Sequence, residues 1–215
     1  MNSNDHKSVS KSRRGRGRPP DLLKRDAILD AAGALFLERG IAATTIEAVA
    51  ARAAVSKMTL YSHFADKPML LMAVFKRNLN AIDLPQLAGD ESESALELLS
   101  DYGERLVTFL TRPEIVRTAR VMAASANEYP ELAAAFYAAG PAVVLAEVAR
   151  FLGIAKRKER LRLPDQRLAA EQLVAAWLGV DQLKQSLGVS GPPSRSVIAR
   201  RVRTATEAML RGWAG

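Results

Sequence analysis

The spacing of apolar residues from Thr45 to Lys67 predicts two short helices that meet across a tight turn. In the first helix, apolar residues recur with the helical period and define one buried face. Ser56 can begin the second helix, where Leu60 and Phe64 lie four residues apart and continue that face. The pattern therefore predicts a pair of packed helices, of which the second turns its other face to solvent.

The predicted outward face of the second helix carries hydrogen-bond donors, a methionine and an aromatic ring. Its residues are Lys57, Met58, Thr59, Tyr61, Ser62 and His63. This is the composition that a helix entering the major groove of DNA requires. Thr44 and Glu47 have the spacing of a capping box for the first helix, and Asp66 can begin a further helix at Lys67.

Helices are also predicted on both sides of this pair. An apolar stripe from Leu22 to Glu38 would close a three-helix domain, and a fourth helix runs from about Lys67 to Ile82. Further helices follow without any alternating strand pattern, and the last two cover Asp165–Leu187 and Ser194–Arg211. The predicted fold is all-α, with about nine or ten helices.

The helix pair, together with RDAILDAAGALFLERG at Arg25–Gly40, resembles the DNA-binding domain of TetR-family transcriptional regulators. The resemblance covers about 60 residues and includes the capped helix, the turn, T-L-Y-x-H-F and the following D-K. Two positions depart from the family pattern. Met58 stands where many relatives carry glycine, and Ala54 occupies a turn position that glycine often fills, which predicts a strained turn.

The resemblance implies three segments: a basic arm at residues 1–20, a DNA-binding domain at 21–83 with its motif at 45–64, and a helical effector-binding and dimerisation domain at 84–215. Thr45 and Lys67 would hold phosphates. The other implied DNA contacts in the motif are Ser56, Lys57, Thr59, Tyr61, Ser62 and His63.

The charge is concentrated at the N-terminus. Residues 1–20 hold six cations and one acid, net +5 of the formal +8 of the chain. Within them, Arg16-Gly17-Arg18-Pro19 resembles the core of an AT-hook, in which two arginines lie along a narrow A·T-rich minor groove. The alternative is a solvated basic extension that binds DNA without sequence preference.

The segment Arg120–Pro141 resembles the C-terminal domain of AefR-like regulators, although a glutamate frequent near Ser125 in relatives is missing. This implies a small-molecule effector and a homodimer. Arg117 would select an anion. Candidate pocket residues are Tyr102, Phe109, Arg117, Met122, Tyr129, Phe136, Tyr137 and Trp177; the alternative for most is core packing. Interface candidates are Leu173, Val180, Val202 and Met209, with an intrachain core as the alternative.

Several classes of protein are disfavoured. The two histidines lie in the arm and on the predicted recognition helix, and no phosphate loop, dinucleotide fingerprint or HExxH motif is present, so we expect no enzyme, cofactor or metal site. The chain has no cysteine, which suits a reducing cytoplasm. The uncharged stretch Leu132–Ala146 is too short to predict a membrane span.

The leading hypothesis is therefore a cytoplasmic, ligand-responsive transcriptional regulator, most simply a repressor, that binds a palindromic double-stranded operator as a dimer. One alternative is an architectural protein that coats A·T-rich DNA, with a C-terminal domain that only dimerises. A third hypothesis is a small-molecule-binding or enzymatic helical domain with an incidental basic tail. Preference for one palindrome over random DNA separates the first hypothesis from the second.

Overall fold

A computed structural model of the chain describes residues 20–80, 86–87, 94–163 and 165–214. Eleven helices, and no strand, occur within these ranges. They are α1 (Pro20–Arg39), α2 (Ile46–Arg52), α3 (Lys57–His63), α4 (Lys67–Asn80), α5 (Ala95–Leu110), α6 (Pro113–Ser125), α7 (Pro130–Ala139), α8 (Pro141–Lys158), α9 (Gln166–Leu178), α10 (Asp181–Ser186) and α11 (Arg195–Gly212). The predicted all-α fold is confirmed. The expected boundary between residues 83 and 84 lies outside the described ranges.

The turn between α2 and α3 is tight and strained. Ala54 has φ +53°, a left-handed conformation that glycine adopts without strain, as its departure from the family pattern predicted. Ser56 then caps α3 by accepting a hydrogen bond from the Thr59 amide at 3.0 Å. Asp66 caps α4 through the Met69 amide at 2.7 Å. These local contacts fix where α3 and α4 begin.

The helix that precedes this turn begins one residue later than the capping box predicted. Thr45, not Thr44, is the N-cap of α2, and its hydroxyl accepts a hydrogen bond from the Ala48 amide at 3.2 Å. Thr44 is buried, and its hydroxyl donates to the Gly40 carbonyl at 2.8 Å, which ties it to the end of α1. The prediction of a Thr44–Glu47 capping box is therefore wrong, which leaves the Glu47 side chain available for another partner.

Two apolar cores organise the chain. The first joins α1–α4 with α6 and α7, and includes Met122, Tyr129 and Leu132 beside residues of the three-helix domain. The Phe75 ring on α4 lies 6.0 Å from the Phe136 ring on α7. Helices α6 and α7 are therefore packed directly on the predicted DNA-binding domain, so that a displacement of either can be transmitted to α4.

The second core joins α5, α8, α9 and α11 around the Trp177 side chain. Trp177 is fully buried, and its indole N–H donates to the Thr206 hydroxyl at 2.9 Å. Its ring meets the Tyr102 ring edge-on at 6.2 Å, and the Tyr102 hydroxyl donates to Glu147 at 3.2 Å. Burial, reinforced by the Glu147 carboxylate, raises the pKa of Tyr102 well above its usual value.

The predicted helix Asp165–Leu187 is divided in two at Gly179. Gly179 has φ +54°, and its amide donates to the Ala175 carbonyl at 3.0 Å, which ends α9. Arg201 on α11 holds the break, because it donates to the Trp177 carbonyl at 2.8 Å and forms an ion pair with Asp181 at 2.6 Å. The sequence interpretation missed this break, since the apolar spacing continues across it.

A glycine on α5 lets three helices approach closely. A Cβ at Gly103 would lie 2.7 Å from a Val202 methyl and 3.0 Å from the Trp177 ring. Gly103→Ala is expected to lower the free energy of unfolding by about 1–3 kcal/mol, because the added methyl overpacks this contact. Gly33→Ala is the matched control: its Cβ meets only Val74 at 3.4 Å, and alanine favours a helix interior. Urea unfolding of both variants checks the prediction; equal stability of the two would contradict it.

One helical run among the described residues, Pro130–Lys158, is long and apolar enough to cross a membrane by length and composition alone. Core helices of other proteins pass the same test, so the indication is weak. The run is divided at Gly140 into α7 and α8 and ends in three consecutive cations. The expected absence of a membrane partner stays a prediction.

Candidate nucleic-acid interface

Helix α3 is anchored on one side and exposed on the other. Leu60 and Phe64 are buried in the first core, as their spacing predicted. On the opposite side Met58 is 84% exposed and Tyr61 is 45% exposed, and Lys57 and Ser62 are exposed beside them. The structure therefore brings most of the predicted reading residues onto one surface.

The serine and threonine hydroxyls on this surface already have hydrogen-bond partners in α3 or at its N-cap. The Ser56 and Thr59 hydroxyls lie 2.8 Å apart and share a hydrogen bond. The Ser62 hydroxyl donates to the Thr59 carbonyl at 2.7 Å. Among the predicted contacts of α3, the long side chains Lys57 and Tyr61 therefore extend furthest toward a ligand, while the short hydroxyls mainly hold the helix in shape.

The Lys57 ammonium on α3 is held by two neighbours. It donates a hydrogen bond to the Glu47 carboxylate on α2 and lies 5.9 Å from the centre of the Tyr61 ring. The hydrogen bond to Glu47 raises the pKa of Lys57, and the same bond lowers the pKa of Glu47. Both groups are therefore charged at neutral pH, and the pair is electrically neutral.

His63 does not belong to the exposed surface, which corrects the prediction that it contacts DNA from there. Its side chain is only 9% exposed, and Nε2 lies 3.3 Å from Asp21 at the start of α1. The physical reason is helical geometry: His63 is three residues after Leu60, so it turns toward the core and α1. This spacing was visible in the sequence and could have placed the side chain correctly.

The two predicted phosphate contacts lie outside α3. Thr45 is exposed at the start of α2. Lys67 is partly buried at the start of α4, with its Nζ 3.4 Å from the Ala42 carbonyl. A cation in a first helical turn opposes the helix dipole, so an external anion beside Lys67 stays a reasonable prediction. Arg16 and Arg18 lie outside the described residues.

The predicted effector-pocket residues do not line one cavity. Tyr102 and Trp177 are in the second core, while Met122, Tyr129 and Phe136 pack in the first. Arg117 and Tyr137 are exposed, and Phe109 lies beside a surface groove that contains Arg112 and Arg195. Core packing, the alternative for most of them, therefore holds for five of the eight, and the eight do not form a single pocket because their helices distribute them over two cores and the surface.

A small apolar cavity of about 50 Å³ lies where α6 and α7 pack on the DNA-binding domain. It is lined from one side by α1 and α4, including Phe36 and Phe75, and from the other by Met122 and Phe136. Two of the predicted pocket residues thus border a cavity. It is much smaller than the 300–1,000 Å³ typical of ligand sites.

Two of the four predicted interface residues are unavailable to a second subunit. Leu173 and Val202 are both 0% exposed, because α9 and α11 pack on α5 and bury them within the chain. Val180 is exposed and Met209 is partly buried. Five other large apolar residues from α9 to α11 are also exposed. These are Leu168, Leu183, Leu187, Val189 and Val197. The apolar pattern of these helices already marks Leu168, Leu183 and Val197.

Two protein families match the chain, one in its C-terminal part and one in its N-terminal part. Residues 97–214, just over half of it, match the AefR-like transcriptional repressor C-terminal domain. Residues 28–74 match the tetR family of bacterial regulatory proteins. The first match begins inside α5 and reaches the end of α11; the second covers most of α1 and all of α2 and α3.

Individual relatives are also regulators. The chain is 36% identical over 99 residues to the uncharacterized HTH-type transcriptional regulator YdeS of Bacillus subtilis, which covers 46% of this chain and 48% of YdeS. It is 41% identical over 69 residues to the HTH-type transcriptional activator FasR of Mycolicibacterium smegmatis, which covers 32% of this chain and 31% of FasR. The chain thus spans less than half the length of these curated relatives.

Solved structures match over nearly the whole chain. The Flavonoid-responsive Regulator FrrA is 28% identical, with a TM-score of 0.72 over 88% of this chain and 96% of FrrA. A TetR family transcriptional regulator from Pseudomonas syringae pv. tomato is 26% identical, with a TM-score of 0.70 over 88% and 96% of the two chains. These relatives are regulators rather than enzymes, which confirms the prediction that the chain is not an enzyme.

Proposed function

Because the chain belongs to the TetR family of regulatory proteins, with an AefR-like C-terminal domain, we propose that it is a sequence-specific transcriptional repressor controlled by a small molecule. The observation that carries this proposal is the surface of α3, where Lys57, Met58 and Tyr61 project from a helix anchored by Leu60 and Phe64. A rigid helix with long exposed side chains is suited to the major groove. The repressor role follows the family description of the C-terminal domain.

The exposed side chains divide into base-reading and phosphate-binding groups. Lys57 can donate to the major-groove acceptors of guanine, and Met58 can contact a thymine methyl. Thr45 and Lys67, at the starts of α2 and α4, would bind the phosphate backbone of the DNA on either side of α3. Tyr61 contributes a ring and a hydroxyl between these groups. This division predicts that Lys57 and Met58 influence sequence preference, while Lys67 influences affinity for any duplex.

We further propose that two copies of the chain associate through the exposed apolar residues of α9–α11, since an apolar patch of this kind marks an association surface. Val180, Leu183 and Leu187 are exposed in or beside α10. A twofold dimer would place two copies of α3 on a palindrome, with half-sites about one helical turn apart or a multiple of it. Analytical ultracentrifugation measures the assembly directly.

The effector would act through the contacts between the two halves of the chain. Helices α6 and α7 pack on α1 and α4 around the small apolar cavity. A ligand that shifts α6 or α7 would therefore move α4 and change the distance between the two α3 helices of a dimer. DNA and effector affinities would then be reciprocally linked. FrrA is flavonoid-responsive by name.

Selection of bound fragments from the protein's own genome tests this function. We expect one palindromic motif, bound at least about 10³-fold more tightly than random duplex of equal length at the same salt concentration. Enrichment of A·T-rich fragments without a common motif would instead support the architectural alternative. The genes beside the enriched sites would indicate the class of effector, which direct binding measurements can then test.

Removal of residues 1–19, which leaves α1 whole, is expected to weaken binding and to flatten its salt dependence by several phosphate equivalents. The segment supplies six cations, and each phosphate that a cation neutralises contributes about 0.9 to the slope of log K against log salt. Fluorescence anisotropy between 50 and 200 mM salt measures this slope.

The double variant Arg16→Gln/Arg18→Gln tests whether these two arginines of the arm read the minor groove. If these residues read an A·T-rich minor groove, the double variant should lose more affinity for A·T-rich than for G·C-rich duplexes. An unchanged salt slope after the deletion would exclude the arm from binding.

A further inference from the structure

Met58 places a sulfur atom on the proposed DNA-contacting surface of α3. Its side chain is 84% exposed, the largest value among the exposed large apolar residues that the structure describes. It is the second residue of α3, at a position where many relatives carry glycine. The chain has no cysteine, so its sulfur redox chemistry is limited to its six methionines. The most accessible of the described methionines is therefore also the one on the helix that would read DNA.

The other described methionines are less accessible and lie outside α3. Met69 on α4 is 54% exposed, while Met72 and Met209 are half-buried and Met122 is buried beside the small apolar cavity. Oxidation of a thioether requires access of the oxidant to the sulfur, so Met58 should react first and Met69 next. Met69 thus supplies a control, because it is an exposed thioether that no proposed base contact involves.

We propose that Met58 is a reversible oxidation site, and that conversion of its thioether to the sulfoxide weakens operator binding. The inference rests on the proposed function, because it takes Met58 as a contact to a thymine methyl. The oxidant is a peroxide. The sulfur attacks one oxygen of hydrogen peroxide and the O–O bond breaks; the departing hydroxide takes the proton of the transferred oxygen and leaves as water. Sulfur is oxidised by two electrons, and the peroxide is reduced by two.

The sulfoxide does not suit the contact that the thioether would make. A thioether is apolar, whereas the sulfoxide oxygen is polar and can only accept hydrogen bonds. The major-groove edge of thymine offers a methyl group and an acceptor oxygen, and neither donates to a sulfoxide. An oxygen enclosed there without a donor is unfavourable. Random duplex is bound mainly through phosphate contacts, so its binding depends much less on this side chain.

The test treats the full chain with hydrogen peroxide until mass spectrometry shows that most Met58 is oxidised. Fluorescence anisotropy then measures binding to the selected operator and to random duplex of equal length at one salt concentration. Affinity for the operator is expected to fall about ten-fold, the lower end of the range for loss of a base contact, and affinity for random duplex less than about two-fold. Methionine sulfoxide reductases A and B, which reduce the two sulfoxide epimers, should together restore operator binding.

Two leucine variants identify the sulfur that is responsible. Met58→Leu keeps an apolar side chain on α3 without a thioether, and Met69→Leu removes the second exposed thioether. Each variant is compared with its own untreated sample, so a difference in starting affinity does not enter. Peroxide should weaken Met69→Leu as much as the parent chain, but should change Met58→Leu by less than about two-fold. Equal losses in the parent chain and in Met58→Leu would overturn the proposal.

The oxidation rate in the DNA complex tests the contact itself. Met58 should be oxidised more slowly in the saturated operator complex than in the free chain, with Met209, which packs against the second core, as the internal reference. Equal relative rates in the two samples would contradict the contact and the proposal with it. A loss of operator binding that the two reductases do not reverse would also overturn the proposal, since a sulfoxide on an exposed side chain is their substrate.

Failure of the proposed function would look different. If the chain selects no preferred sequence, the proposed repressor is contradicted, and this inference is contradicted together with it. If the chain selects an operator and keeps its affinity for that operator when Met58 is oxidised, only the role of the sulfur is contradicted. Thermal unfolding of the treated and untreated chains verifies that both are folded when binding is measured.

Discussion

Trp177→Ala is expected to lower the free energy of unfolding by about 3–5 kcal/mol, the range for removal of a buried aromatic side chain. The indole is fully buried at the centre of the second core and meets the Tyr102 ring edge-on. Its loss would leave a cavity among α5, α9 and α11 and would remove the hydrogen bond to the Thr206 hydroxyl. Since a domain of this size is stable by about 5–15 kcal/mol, the change would remove a large part of the total.

Equilibrium urea unfolding followed by circular dichroism measures this loss, and Trp177→Phe is the graded control. Phenylalanine keeps an aromatic ring in the core but cannot donate to Thr206, so it should lose less stability than alanine. A loss below about 1 kcal/mol for Trp177→Ala would match an exposed position rather than a buried one. It would contradict the placement of Trp177 at the centre of the second core.

Tyr61→Ala is expected to weaken operator binding by about 10- to 100-fold, or roughly 1–3 kcal/mol, the range for loss of a specific contact to DNA. The same substitution should change the free energy of unfolding by no more than about 0.5 kcal/mol, because the ring stands outside the core. Its one described aromatic contact is with the exposed Lys57 ammonium. Fluorescence anisotropy and urea unfolding of one protein preparation measure the two quantities side by side.

Leu60, the residue before Tyr61, is expected to show the opposite effects when it is replaced by alanine: a large loss of stability and a small loss of DNA binding. Leu60 is fully buried on the core-facing side of α3, so Leu60→Ala should lose about 2–5 kcal/mol of stability. Binding by the folded fraction of that variant should change less than binding by Tyr61→Ala. A large loss of thermal stability in Tyr61→Ala, comparable to that of Leu60→Ala, would show that the ring is part of the core and would contradict its assignment to the DNA-facing surface.

Local signals in the sequence were sufficient for most of the DNA-binding domain. The caps at Ser56 and Asp66 join residues only three positions apart, and Leu60 with Phe64 lies one helical turn apart. Ala54 also showed its strain in advance, since the turn requires a positive φ that alanine tolerates poorly. Interactions over so few residues depend little on the remainder of the chain, although the Thr44–Glu47 capping box, of the same span, was predicted one residue too early.

The candidate sites of the C-terminal half were less predictable. Apolar residues at helical spacing identify a buried face, but they do not say whether the same subunit, a second subunit or a ligand covers it. Leu173 and Val202 proved to be covered by their own chain, whereas Val180 did not. The eight pocket candidates were likewise divided between two cores and the surface.

By itself, then, the amino-acid sequence determined the all-α fold, the helix-turn-helix and the outward direction of Tyr61, because each follows from periodicity or capping within a few residues. The family was indicated by the resemblance of its motifs. Only the tertiary structure decided the partners that join separate helices: Lys57 with Glu47, and His63 with Asp21. The physical reason is that the distance between two side chains on different helices depends on how the helices pack, which no short stretch of sequence encodes.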